Sequence, residues 1–461
     1  MLRRWLLALV VLSLAPLGLS LSSVAGSSGL GPTRYIVVLN QSADADAVAG
    51  RAGVLGATVN TLFSSLDTLV MSLTPRDVTR LRHDPRVAFV TPDRPVRLLA
   101  GSSDPAGSDG ATASGVPTGV ARIGAAPAIN TDGANAAGPA HKAAVAILDT
   151  GVATRPDLNV AGGYDCAPAS SGLLDGLFGG GGGGRGNKGG GDANAIPADN
   201  NGHGTHVAGI VADKGIAGVV GVSPGSPLYA VRVFGADGGG DISNVICGLN
   251  WVAENASTLN IKVVNMSLGG EGTDDGKCGT TDDDAFHAAV CKVTAAGVTV
   301  VAAAGNDGGD LAKSTPAAYD EVLAVTAMAD FDGLPGGLFS GTATCTEKEQ
   351  DDTAATFSAY AVPGSADAEH TIAAPGVCIT STWNDGGVKS ISGTSMASPH
   401  VAGLVARCID AGPCAGMTPA QIIAKLRADA ATRPADTGFL GDTHRPMDGK
   451  YYGNLADALG Y

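Results

Sequence analysis

Ala144-Val-Ala-Ile-Leu-Asp-Thr-Gly151 is an apolar run that stops at an aspartate and a glycine turn. Apolar residues without polar alternation suit a strand buried on both faces, as in a parallel sheet. Comparable runs recur at Leu228–Phe234, Ile261–Met266, Val298–Ala303 and Val322–Ala327. Helical patterns are predicted at His203–Asp213, Ile242–Ala256, Asp282–Ala296, Thr394–Ile409 and Pro419–Ala428. Recurring strand-then-helix units of this kind predict an α/β class with three layers, helices covering a parallel sheet. In open α/β sheets the working end is the carboxyl end of the strands. Asp149 stands at such an end.

Three further strings carry chemistry. Gly393-Thr-Ser-Met-Ala-Ser-Pro-His-Val-Ala-Gly403 puts Ser395 near a helix start, where backbone N–H groups and the helix dipole favour negative charge. An attacking hydroxyl needs that as its oxyanion forms. Asn201-Gly-His-Gly-Thr-His-Val-Ala-Gly209 sets His203 among small residues at another helix start. His206 lies three residues on. The zinc-protease pattern needs histidines four apart with a glutamate between them, so His203 reads as a general base and His206 as structural. Val300-Val-Ala-Ala-Ala-Gly-Asn306 is a strand ending in a neutral amide donor. With His203 and Ser395 present, Asp149 reads as the acid that orients the imidazole.

These four strings, in the order Asp, His, Asn, Ser, resemble the subtilisin family, nearest its proteinase K and subtilisin-proper branches. The resemblance covers most of residues 117–430. It implies a three-layer subtilisin-like catalytic domain and a serine endopeptidase working through an acyl-enzyme. Asp149, His203 and Ser395 would be its triad. The Asn306 amide and the Ser395 backbone N–H would bind the oxyanion. Gly238, Gly239 and Gly240 match the segment that pairs with the substrate backbone, and Ser267, Leu268 and Gly269 match the opposite side. An extended peptide would add between them as a strand. Ala303, Ala304 and Gly305 would line the main side-chain pocket with Ser267–Gly269 and the 314–316 region. No acidic residue stands at its floor, so broad specificity with a preference for apolar or aromatic residues before the cut is expected. Inactive relatives usually lose a triad member or the oxyanion donor, and this chain keeps all four. No cofactor is expected for the chemistry. A structural calcium is implied, with Asp330 and carbonyls around Pro316 aligning best. The protein is expected to be a monomer acting on protein or peptide substrates.

The N-terminal part reads separately. Arg3 and Arg4 precede an apolar stretch from Leu6 to Leu21, and Ser23-Val24-Ala25 fits a cleavage pattern, so residues 1–25 are expected to be an export signal and the protein secreted. Strands at Arg34–Leu39, Ala57–Phe63, Leu69–Leu73 and Arg86–Val90, with helices at Asp44–Gly53 and after Thr74-Pro75, predict a small α+β, ferredoxin-like domain. It resembles the family's inhibitory propeptide, which would make the enzyme a self-processing zymogen with residues 26–110 as an intramolecular inhibitor and linker. Gly101–Gly115 is rich in Ser, Gly, Asp and Ala, as an exposed cleavable linker would be. Val116-Pro-Thr-Gly-Val-Ala-Arg-Ile123 looks like a mature N-terminus of the family. Processing is therefore expected between Leu99 and Val116, with the peptidase domain over residues 111–461.

Residues 26–110 hold eight basic and eight acidic side chains, so the net charge of −15 belongs to the rest. An acidic chain with no basic stripe argues against nucleic acid as a partner. No later apolar stretch suggests stable membrane insertion. The eight cysteines all follow residue 165, and an even count in an exported chain suggests disulfides. Closeness in sequence favours Cys278 with Cys291 and Cys408 with Cys414. No CxxC pair suggests zinc at the cysteines. Two segments read as insertions: 179–191, nearly all glycine, and 342–370, which is polar.

Overall fold

The structure is a computed structural model. It describes residues 32–40, 45–54, 57–99, 116–125, 143–167, 195–216, 218–337, 339, 345–346 and 348–461. The expected signal, the 101–115 linker and the 179–191 glycine segment lie outside these residues.

The apolar runs become neighbours in one large sheet. In spatial order its strands are Val160–Asp165, Leu228–Arg232, Ala144–Asp149, Ile261–Met266, Thr299–Ala303 and Val322–Ala329. Thr371–Pro375 then pairs parallel with the last of these. These seven strands run parallel, and among the described residues only the short Thr353–Ala354 joins antiparallel. Successive side chains point to opposite faces, so each run serves two cores. Val145 and Ile147 pack with the His203–Ala212, Thr394–Ala411 and Pro419–Ala431 helices. Ala144, Ala146 and Leu148 pack with the Ile242–Asn255 and Ala285–Ala295 helices. This is the three-layer α/β arrangement that unbroken apolar strands require. The sequence runs did not reveal Val160–Asp165 or Thr371–Pro375, whose apolar stretches are short and broken by Gly or Pro.

Cysteine pairs join Cys166 to Cys247, Cys278 to Cys291, Cys345 to Cys378, and Cys408 to Cys414. The two pairs close in sequence agree with the expectation. The polar segment 342–370 is less of a surface excursion than its composition suggests. Its second half reaches the sheet through Thr353–Ala354, and Ala355, Ser358, Ala359 and Ala361 are buried.

Residues 33–92 run strand, helix, strand, strand, helix, strand. Thr58–Phe63, Thr68–Leu73, Thr33–Leu39 and Val87–Pro92 form an antiparallel sheet in that spatial order. The Pro75–Arg82 helix starts with a capping box, Thr74 and Asp77 each bonding the other's backbone N–H. One face of this sheet, with Val37, Leu69, Met71 and Val90, packs on its own helices. The other, with Ile36, Val38, Val70 and Phe89, shares a core with the large unit's Ile242–Asn255 and Ala285–Ala295 helices. Polar contacts ring the join. Asp93 accepts from Ser243 N and Oγ at 3.0 and 2.7 Å, and Lys292 Nζ lies 2.9 Å from Asp67.

Beyond this sheet the chain crosses onto the large unit. Pro95–Leu98 is the middle strand between Gly239–Asp241 and Leu268–Glu271, antiparallel to both. Among the described residues no helix is long and apolar enough to cross a membrane.

Candidate active site

Asp149 ends its strand with its carboxylate held by the Thr150 N–H at 2.7 Å. The His203–Ala212 helix begins beside it. Gly204 makes that approach possible, since a Cβ there would lie 2.1 Å from the Gly151 carbonyl. His203 Nδ1 then sits 2.8 and 2.9 Å from the two Asp149 oxygens. Nδ1 therefore carries the donated proton, and Nε2 is left as an acceptor. Nε2 is buried without a hydrogen-bond partner among the described residues.

The helix start is fixed by Asp199, which the motifs alone did not single out. Its Oδ1 accepts from Thr150 Oγ1, Asn201 N and Gly202 N at 2.8–3.0 Å. Its Oδ2 accepts from Thr205 N and Oγ1 at 2.9 and 2.6 Å. One buried carboxylate thus ties the Asp149 turn to the His203 helix. The available signal was an Asp four residues before a helix-start His. His206 turns away, its Nε2 3.0 Å from both the Ile379 and Lys389 carbonyls. Burial pushes its pKa down to about 3, so it stays a neutral strut.

Ser395 lies in the first turn of the Thr394–Ala411 helix. Pro399 lies inside this helix and has no N–H to give to the Ser395 carbonyl four residues back. Ser267 Oγ supplies that donor instead, at 2.8 Å. It is itself bonded by Asn265 Nδ2 at 3.0 Å, while Asn265 Oδ1 accepts from Ser398 Oγ at 2.8 Å. Asn265, fully buried, is therefore a brace under Ser395. The Ser395 hydroxyl donates to the Ser267 carbonyl at 3.2 Å.

Asn306 follows the Thr299–Ala303 strand. Its Oδ1 accepts from Thr394 N at 2.9 Å and Thr394 Oγ1 at 2.8 Å. That fixes the amide so that Nδ2 points outward, where it donates to the Leu99 carbonyl oxygen. Leu99 is the residue after the Pro95–Leu98 strand. Its N–H reaches the Ser267 carbonyl, and that of Leu98 reaches the Gly238 carbonyl, both at 3.4 Å. Gly239 and Gly240 pair with Arg97 and Val96, and Leu268 and Gly269 with Leu98 and Arg97. The Leu99 side chain faces Gly269, where a Cβ would lie 2.9 Å from Leu99 Cδ1. Ala303 and Ala304 are fully buried, and the Gly305 N–H donates to Thr394 Oγ1 at 3.3 Å. Asp149 and Ser395 have no exposed surface and His203 only 2 %, and Pro95–Leu99 lies along the substrate-pairing strands up to Asn306.

Asp330, the expected calcium ligand, is buried. Its Oδ1 lies 3.4 Å from Arg122 Nε, and its Oδ2 accepts from Gly333 N. Its carboxylate neighbours are Asp332 and Asp351, while the Pro316 carbonyl accepts from Tyr319 N. Burial raises the Asp330 pKa well above the usual carboxylate range. Its Oδ1 is buried without a hydrogen-bond partner among the described residues.

Residues 140–443 match the subtilase family, peptidase S8. M-protease of Shouchella clausii (strain KSM-K16) is 34% identical over 345 residues, covering 75% of this chain and 69% of that protein. Subtilisin E of Bacillus subtilis (strain 168) is 30% identical over 419 residues, covering 89% of this chain and 88% of that one. A solved structure of a cold adapted subtilisin-like serine proteinase aligns with a TM-score of 0.50 at 29% identity, over 75% of this chain and all of the other. The chain belongs to the subtilase family and is a serine endopeptidase acting on protein or peptide substrates.

Proposed function

We propose that this protein is a secreted, self-processing zymogen whose first substrate is its own Leu99–Ala100 bond. The carrying observation is the Leu99 carbonyl on the Asn306 amide, at the end of a strand seated between Gly239–Asp241 and Leu268–Glu271. That is where the carbonyl of a peptide bond due for cleavage would lie. It also lies within the window read from the sequence.

In this reading the Ser395 hydroxyl turns from Ser267 toward His203 Nε2, whose lone pair has no partner among the described residues. Oγ bonds to the Leu99 carbonyl carbon as its proton passes to Nε2. The oxygen gains negative charge, held by the Asn306 amide and the Ser395 backbone N–H. His203 then gives the proton to the Ala100 nitrogen as the C–N bond breaks. Water, deprotonated by the same imidazole, hydrolyses the ester and frees Ser395. Asp149 keeps the proton on Nδ1 and stabilises the imidazolium.

After the cut, residues 26–99 would stay on the enzyme as its inhibitor, because their apolar face and the 95–98 strand need no covalent link to bind. Backbone pairing along residues 238–241 and 267–271 ignores most side chains, which supports broad specificity. Leucine against Gly269 supports an apolar preference before the cut. Export is read from the N-terminal segment, and one chain supplies the whole proposed site, in keeping with a monomer. The chemistry needs no metal. The expected structural calcium is better assigned to Asp330, Asp332 and Asp351 than to Asp330 with Pro316. Three carboxylates suit a hard cation, one of their oxygens being buried with no hydrogen bond among the described residues, and Arg122 offsets one charge.

The test compares the exported wild type with Ser395→Ala by intact mass and N-terminal sequencing. The wild type should begin at Ala100 or further on, and the variant should keep residues 26–99 attached. Identical trimming of both would assign the cut to another protease and remove self-processing.

A further inference from the structure

The loop after the substrate-pairing strand Leu268–Glu271 folds onto His287, a residue the proteolytic reading does not use. His287 has no exposed surface. Its ring stacks flat on Tyr319, with centroids 4.1 Å apart and planes 2° apart. The Cys278–Cys291 disulfide ties the loop to the helix that carries it. The ring orientation is therefore fixed.

Its two nitrogens meet different surroundings. Nε2 lies 2.9 Å from Glu321 Oε2, a normal hydrogen bond. Nδ1 is buried and has no hydrogen-bond partner among the described residues. It faces Asp274 Oδ1 at 3.3 Å and Asp275 Oδ1 at 3.4 Å. With the proton on Nε2, the Nδ1 lone pair points at two carboxylate oxygens, an arrangement that calls for positive charge between them. The distances indicate its form. They exceed the usual hydrogen-bond range of about 2.7–3.2 Å. They match the edge of a tetrahedron around an ion bonded at about 2.0–2.1 Å, which is about 3.3–3.4 Å. A carboxylate receiving the far N–H of a metal-bound histidine is also the usual outer partner of such a site, and Glu321 holds that position.

We propose that Asp274 Oδ1, Asp275 Oδ1 and His287 Nδ1 form a structural site for a divalent transition metal of the zinc type. The nitrogen ligand favours such an ion over calcium, which takes oxygen. Asp274 is 14% exposed at its side chain and adjoins exposed Gly276 and Lys277, which gives the ion an entry path and a water as fourth ligand. Backbone donors hold every oxygen of the two aspartates: Asp320 N and Thr281 N on the two Oδ2 atoms, Gly276 N on Asp274 Oδ1, and Lys277 and Gly279 N on Asp275 Oδ1. Both carboxylates are thus fixed before an ion arrives, and an ion would share each Oδ1 with these donors. Bound metal would pin residues 272–284, and with them the end of a strand that pairs with substrate.

The experiment uses the full chain carrying Ser395→Ala, stripped with EDTA and titrated with zinc chloride by calorimetry. Thermal melts and the visible spectrum of a cobalt(II) form accompany it. The expected result is one ion per chain, a raised melting temperature and a tetrahedral cobalt spectrum. Glu321→Gln should weaken binding by roughly 10–100-fold. Asp274→Asn, at a partly exposed position that should fold normally, should weaken it at least tenfold, while Asp330→Asn leaves it unchanged. Absence of zinc uptake would overturn the proposal, as would uptake indifferent to Asp274→Asn. A melting temperature that responds at this loop to acid but not to zinc would identify a caged imidazolium and equally overturn it.

Discussion

In the sheet of residues 33–92 one face is covered by that unit's own helices and the other by helices of the peptidase unit. The sheet of residues 144–375 is covered on both faces largely by helices of its own unit, and four disulfides reinforce that unit. The peptidase unit can keep its core when the connection is cut. The N-terminal unit keeps half of its core only while it is docked. Small domains bury a low fraction of their surface and are marginal without such help. In the proposed zymogen, an inhibitor built this way would hold the site shut when bound and be easily destroyed once released.

This contrast can be tested at four points. The largest effect is expected at Asn306→Ala, which should lower kcat by about 10²–10³ with KM little changed, as in subtilisin itself. Steady-state kinetics on a peptide would check it, and equal losses in both constants would place Asn306 outside the oxyanion site. Next is Phe89→Ala on the shared face. A buried aromatic truncated to alanine costs about 3–5 kcal/mol, so a separate 26–99 chain should inhibit the processed enzyme at least a hundredfold less well. The unmutated 26–99 chain should show weak near-ultraviolet dichroism alone and gain signal when the enzyme is added. A fully structured free chain would break the contrast.

Third, Leu99→Ala removes the side chain that faces Gly269. Release at Ala100 should slow by about 10–200-fold, followed by mass spectrometry. The smallest effect concerns the peptidase unit alone. Asp213 has no exposed surface, its Oδ2 has no hydrogen-bond partner among the described residues, and burial pushes its carboxyl up to about 7. The folded protein therefore prefers the protonated form. Stability from this group is full below about pH 4 and falls as pH rises through about 7. Asp213→Asn should remove that loss, worth about 2–4 kcal/mol at pH 8, and should do so equally in cut and uncut enzyme. Melting curves at pH 5 and pH 8 would measure it.

The sequence by itself determined five of the large sheet's seven parallel strands, because strands buried on both faces must be continuously apolar, and its main helices, which must show where they start. It also placed Asp149, His203, Asn306 and Ser395 at element ends, where loops can present side chains. Asp199 and Asn265 were not legible as braces, since a buried acid or amide looks in sequence like any turn residue. Nor was the partner of Ser267 Oγ, which depends on the N–H that Pro399 lacks. Only the tertiary structure decided where Pro95–Leu99 goes. Backbone pairing leaves no side-chain signature, so a strand that completes a neighbouring sheet reads in sequence as the end of its own domain. The same holds for the apolar face around Phe89. Alternation shows that a strand has two apolar faces, but which body covers each one is settled only when the chain has folded.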